Sequence, residues 1–381
     1  MTKFAVAVAT TAAAVIAAAP HVVPKSPAVS SRSAAVRAPA HLAQVATFPH
    51  QVTGVSVTRD GRIFVNFPRW TEDAPVSVGE VMKDGSVRPY PDAEWNAWRN
   101  AKKNQISPAD HFVCVQSVVA DGRGNLWVLD PAAPANGALV PGGPKLVRID
   151  LATNRPAQTI RFDTTVAPNG SYLNDVRFSP DGRTAYITDS GGQGALVVVD
   201  LQAGTARRLL SAHPSVQAEK DVVVHADGRE LRRPDGRGVE FASDGIALSP
   251  DGEYLYYQAL TGRTLYRIAT AALRDTSLPA DQLAARVERV GTTNVADGLW
   301  MTPEGRLYVS APEENAVKVR EADGRMTTVV RDARLRWPDT FSQGADGAVY
   351  VTASHIQDMN WYKPGNPKAL TTQLFRVDGS R

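Results

Sequence analysis

The chain holds one cysteine, Cys114, among 381 residues. That excludes an intramolecular disulfide framework. It also excludes thiolate zinc clusters and iron–sulfur centres, which need several thiolates. Cys114 lies in the apolar run FVCVQSVV, where a free cysteine packs as a small hydrophobe. Charge of one sign is also missing: 42 Lys and Arg stand against 39 Asp and Glu, for a net +3. With no block of five or more like charges, a nucleic-acid partner is not expected. No GxSxG elbow, P-loop, HExxH or EF-hand-like loop is present, so the usual signatures of serine esterases, nucleotide hydrolases, zincins and linear calcium sites are absent.

Long hydrophobic runs are scarce too. The chain opens MTKFAVAVATTAAAVIAAAP, with Lys3 ahead of an uncharged stretch over 4–19 and small residues at Ala17 and Ala19. This pattern predicts a signal peptide over 1–19. Residues 20–42 are rich in Pro, Ala, Ser and Val and read as a linker. No second run of membrane length follows, so stable membrane insertion is not expected. The expectation is a monomer, secreted or periplasmic.

What the sequence has is repetition. A Gly-containing turn, usually Asp-Gly, recurs at Gly61, Gly124, Gly182, Gly252, Gly305 and Gly347. Apolar stretches lead into it, as in NDVRFSPDG and DGIALSPDG, and others leave it: IFVNF, LWVLD, AYITD, LYYQA, LYVSA and VYVTA. Alternation at period two around such a turn marks a β-hairpin. A third strand often follows: KLVRIDL, ALVVVDL, TLYRIAT, AVKVRE and QLFRVDG. The spacing between turn glycines varies from 42 to 70 residues, which a propeller tolerates and most solenoids do not. The prediction is an all-β, six-bladed β-propeller over 43–381, with QVATF closing the last blade as its outer strand. Helical spacing is expected in 93–104 and in 278–290, and an extra hairpin within 203–240.

The residue eight before each turn glycine is polar in all six units: Thr53, Gln116, Asn174, Asp244, Asp297 and Asp339. Inner strands line a propeller's channel, so these side chains should gather at one axial opening. Three carboxylates buried together are costly without a cation, a donor or protonation. At single positions, notably Asp244-Gly245 and Asp297-Gly298, local turn chemistry is the competing explanation. His111 and His355 fall near strand ends and read as structural.

These blocks in order, among them VCVQSVVADGRGNLWVLD, LNDVRFSPDGRTAYITDSGGQGALVVVDL and WPDTFSQGADGAVYVTAS, resemble the Yellow / major royal jelly protein family in a bacterial, dopachrome-tautomerase-related version. The resemblance spans roughly 43–381. It implies a secreted six-bladed propeller associated with small amines and a dopachrome-converting activity. A more distant resemblance to the gluconolactonase / senescence-marker propellers implies an axial divalent ion, usually calcium, and lactone hydrolysis. That family's ligands are a Glu, an Asn and an Asp. Asn174 and Asp244 match the second and third, while Thr53 stands where the Glu should be.

Two functions follow as expectations. In the first, the propeller binds a small molecule such as an aromatic amine through Thr53, Gln116, Asn174, Asp244 and Trp337, the tryptophan giving an aromatic wall and a cation–π contact. A tautomerase-like step would then use Asp297 and Asp339 to move a proton. In the second, a metal on Asn174 and Asp244 polarises a lactone carbonyl, with Asp297 or Asp339 as general base.

Overall fold

All six turn glycines adopt φ between +71° and +87°. This left-handed region is open to glycine and costly for other residues, so the repeat reports a backbone requirement. The computed structural model describes residues 1–3 and 40–379. Each hairpin extends into a four-stranded antiparallel sheet whose strands follow in chain order from the axis outwards, except for the outermost strand of the last sheet. The inner strands are Val55–Val57, Ser117–Ala120, Leu173–Phe178, Ser243–Leu248, Leu299–Met301 and Pro338–Gln343. They open blades one to six of a β-propeller.

The ring closes as the sequence predicts. His41–Phe48 pairs antiparallel with the last strand, Thr372–Asp378, and completes blade six with chain from the start of the propeller. The closure leaves no open edge between first and last blades. The core lies between blades. Trp127, Leu146 and Ile160 of blade two, for example, pack on Val176, Ile187 and Val197 of blade three.

Four expectations are adjusted. The 93–104 segment forms turns and one 3-10 turn at Asn100–Lys102, with Trp98 fully buried: its tryptophan spacing serves packing, not an α-helix. Within 278–290 the helix is confined to Ala280–Ala284, and Glu288–Thr292 is the outer strand of blade four. Strand pairing begins at His41, inside the stretch read as linker. The 203–240 region holds the outer strand Thr205–Leu209 as well as the expected hairpin, His225–Ala226 against Arg229–Glu230. Residues 4–39, which hold most of the signal peptide expected over 1–19 and most of the linker, lie outside the described residues.

Near the axis, backbones approach closely. A Cβ on Gly245 would sit 2.6 Å from the Asp297 carbonyl oxygen, and one on Gly298 would sit 1.9 Å from that of Asp339. The Asp-Gly pairs of blades four and five therefore let each inner strand press against the next blade. Hydroxyls from the second strands add stitches. Thr188 accepts from the Asp175 N–H at 3.2 Å and donates to the Asp244 carbonyl at 2.6 Å. Thr352 accepts from Thr340 N–H at 3.1 Å and donates to the Thr53 carbonyl at 2.6 Å, joining blade six to blade one.

Candidate functional site

Five of the six register residues, Gln116, Asn174, Asp244, Asp297 and Asp339, line one cavity. In blades three, four and six the register residue is the second of its strand and falls within a β-bulge. A bulge re-aims a side chain, which places Asn174, Asp244 and Asp339 on the cavity. Thr53 does not reach it. It is fully buried, and its hydroxyl accepts from Asn66 Nδ2 at 2.8 Å.

Trp337 is not a wall of the cavity either. It is fully buried behind the site and donates its indole N–H to Asp297 Oδ2 at 2.5 Å. Its φ of 55° is a left-handed conformation that is strained for a bulky residue. That backbone delivers the indole to the carboxylate, so Trp337 positions Asp297. The aromatic wall comes instead from loops: Trp70, Tyr172, Phe241, Trp361 and Tyr362. Trp70 donates to Tyr172 Oη at 2.6 Å, and Tyr172 donates to Gln116 Oε1 at 2.9 Å, which fixes one side of the cavity.

The electrostatics are one-sided. Three carboxylates line the cavity, and no Lys, Arg or His does. Burial pushes Asp297 up to about 7, with the Trp337 N–H pulling the other way. Burial drives Asp244 well above the carboxylate range, helped by the charges of Asp297, Asp175 and Asp339 and by a hydrogen bond to Asp297. Asp339 is raised well above it too, by burial and then by Asp297 and Asp175. The interaction between the two raises Asp244 and lowers Asp297, so Asp244 is the one that holds its proton to higher pH. Asp339 Oδ1 accepts from Thr340 at 3.0 Å, but Oδ2 is buried with no hydrogen-bond partner. The nearby Ser354 hydroxyl donates to the Trp337 carbonyl.

The donor set does not assemble as a metal centre. Among the described residues no three His, Cys, Asp or Glu side chains form a group able to hold a metal ion. Asn174 turns its Nδ2 amide to Asp244 Oδ2 at 2.7 Å and to Ser190 Oγ at 2.9 Å. An amide N–H facing a carboxylate satisfies it as a donor would, and no step below is routed through a metal. His355 lies 3.3 Å from Asp358 and accompanies a surface charge network, and His111 bonds the Ser107 carbonyl at 2.8 Å; neither lines the cavity. Cys114 is buried ahead of the blade-two strand, and burial pushes its thiol up to about 12, so it stays neutral.

Ion pairs fasten the loops above the site. Arg336, next to Trp337, binds Asp227 of the 225–230 hairpin at 2.9 Å and Asp358 at 2.6 Å. Lys363 bridges the same two carboxylates at 3.1 and 2.5 Å. The loop so held carries Met359, Trp361 and Tyr362, all on the cavity.

The family model for major royal jelly protein matches residues 113–368. The chain belongs to this family. The match covers blades two to five and the two inner strands of blade six, a narrower span than the motifs quoted above. Major royal jelly protein 1 of Apis mellifera is 27% identical over 251 residues, covering 62% of this chain and 53% of that protein. Major royal jelly protein 6 of the same organism is 28% identical over 200 residues, covering 50% and 42%. The chain thus matches about half the length of these family members. Solved propellers are similar in fold. A gluconolactonase from Xanthomonas campestris superposes with a TM-score of 0.52 at 13% identity, covering 89% of each chain. A luciferin-regenerating enzyme superposes with 0.54 at 11% identity, covering 89% of this chain and 95% of that one. At such identities the likeness establishes architecture only.

Proposed function

We propose that the axial cavity binds a small organic cation, in the first instance an aromatic amine, in a protein exported by its leader. One observation carries this reading: three buried carboxylates face a cavity walled by aromatic rings, with no cationic side chain to neutralise them. An ammonium group supplies the missing positive charge and donates to Asp339 Oδ2. The rings supply stacking area and the negative faces that attract a cation. The amine-linked resemblance of the sequence agrees. A tautomerase-like step would use Asp244 and Asp297, whose raised pKa values suit proton transfer near neutral pH, with Asp339 as the charge partner. The hydrolase alternative has less support, because the Asn174 amide N–H faces Asp244 and the first carboxylate ligand is replaced by Thr53.

The test compares phenethylamine with 2-phenylethanol, its uncharged counterpart, by calorimetry at pH 8. The amine should bind in the micromolar range and the alcohol at least about tenfold more weakly, as expected when a buried charge loses its partner. Asp339→Asn should weaken the amine by a similar factor and leave the alcohol unchanged. Equal binding of amine and alcohol, or no binding of either, would remove the proposal.

A further inference from the structure

We infer that the ligand is a zwitterion, a small aromatic molecule whose ammonium lies among the three aspartates and whose carboxylate meets Arg233 and Tyr362. This rests on the cation-binding reading above and extends it to the other end of the ligand. A second, more open cavity adjoins the first and shares Ser190, Phe241 and Tyr362 with it. Its charged lining is Arg233, Arg237 and Glu240. Arg237 is committed to Asp235 at 2.6 Å, and the neighbouring Arg232 to Glu230 at 2.5 Å. Among the described residues no carboxylate makes an ion pair with Arg233. Its guanidinium instead lies 4.9 Å from the ring centroid of Trp361, which lines the inner cavity. Glu240 would oppose an anion, but it is exposed and its charge is screened by water.

Tyr362 marks the junction of the two cavities. Its hydroxyl is buried and has no hydrogen-bond partner. Burial raises its pKa against the charge and the donor N–H groups of Arg233, so the hydroxyl remains protonated and still lacks an acceptor for its own proton. The joined space therefore holds two unsatisfied groups of opposite kind. In the ionised state that an ammonium requires, Asp339 Oδ2 is an acceptor without a donor, while Tyr362 Oη is a donor without an acceptor. Leaving either unpaired is costly in a buried site. An amine alone satisfies the first. A molecule carrying a carboxylate beyond its aromatic ring satisfies both, and gives Arg233 the planar anion that its fork matches.

The experiment titrates benzylamine, 4-(aminomethyl)benzoate and benzoate into the full chain at pH 8. The amino acid should bind roughly tenfold more tightly than benzylamine, the value of one charge-assisted hydrogen bond. Benzoate, without the ammonium, should not bind. Arg233→Gln should bring the ratio close to one while leaving the benzylamine affinity within about twofold, and Tyr362→Phe should lower the ratio less. Benzylamine binding with no gain from the carboxylate, or a gain that survives Arg233→Gln, would overturn the inference and leave the cation site standing. If benzylamine itself does not bind, the cation reading fails and this inference fails with it.

Discussion

Raising the pH from 5 to 8 should weaken the unliganded fold, and Asp297→Asn should remove the share of that weakening that belongs to Asp297. Asp297 has an ordinary carboxyl pKa in the unfolded chain, near 3.8, and about 7 when folded. A carboxyl whose folded pKa is raised binds its proton more tightly in the native state. Its contribution to stability is complete below the unfolded value and is lost as pH rises through the folded one. The window is therefore about pH 4 to 8, and the loss reaches up to about 4 kcal/mol at roughly 1.4 kcal/mol per unit. Asp244 and Asp339, raised further, add to the decline over the same window and carry it to higher pH. His213, whose pKa burial lowers, works in the opposite direction but is partly exposed. In Asp297→Asn the side-chain oxygen still accepts from Trp337 while the ionisation is gone. Urea unfolding of both proteins at pH 5 and pH 8 reads the effect. Equal stability of the wild type at both values would show that these carboxylates are not held protonated by burial.

Lys145→Met should cost about 3–5 kcal/mol, the usual penalty for stranding one member of a buried ion pair. Lys145 and Asp130 are both fully buried, with Nζ 2.9 Å from Oδ2. The ammonium also donates to the carbonyls of Pro108 and Gly143, each at 3.0 Å. Asp130 accepts from the N–H groups of Val113, Cys114 and Ala132 at 2.7–2.9 Å. The pair thus anchors the segment that leads to Gln116. Arg69, fully buried beside Trp70, holds the same segment through the Phe112 and Val113 carbonyls at 2.6 and 3.0 Å. Burial brings its guanidinium down to about 10. Adding Asp130→Asn should recover part of the loss, because the stranded charge leaves with it. Denaturant unfolding of the single and double variants measures this; a loss below about 1 kcal/mol would place the pair in the energetic class of surface bridges.

The turn glycines and the register behind them carried most of the architecture. Each glycine answers a backbone need, and each polar residue eight positions earlier begins an inner strand, so both repeat with the blades. The same signal held a second ring that the sequence reading passed over. The fourth residue of the trailing stretches is polar in five blades: Asn66, Thr188, Gln258, Ser310 and Thr352. Asn66 donates to the Val115 and Gln116 carbonyls of the next blade at 3.0 and 3.1 Å, and Gln258 to the Asn294 carbonyl at 2.8 Å. The aromatic wall was not legible. Trp70, Phe241, Trp361 and Tyr362 come from connections of unequal length, which share no period with the blades. Trp337 stands behind the site and not on its wall, and the left-handed backbone that puts it there has no sequence signature. The strand-start spacing that put Asp297 on the axis said nothing of the indole behind it.

The most direct test of the central claim is the number of protons released when phenethylamine binds. At pH 6.5, just below the value near 7 for Asp297, the cavity is largely protonated before binding. An ammonium entering it requires at least one carboxyl to ionise. Titrations in phosphate and in Tris, buffers of different ionisation heat, should report a release of roughly one proton per amine at pH 6.5. That release should fall toward the contribution of Asp244 and Asp339 alone in Asp297→Asn. Binding heats identical in the two buffers would mean that no carboxyl changes its charge, and would contradict an acidic cavity built to take up a cation.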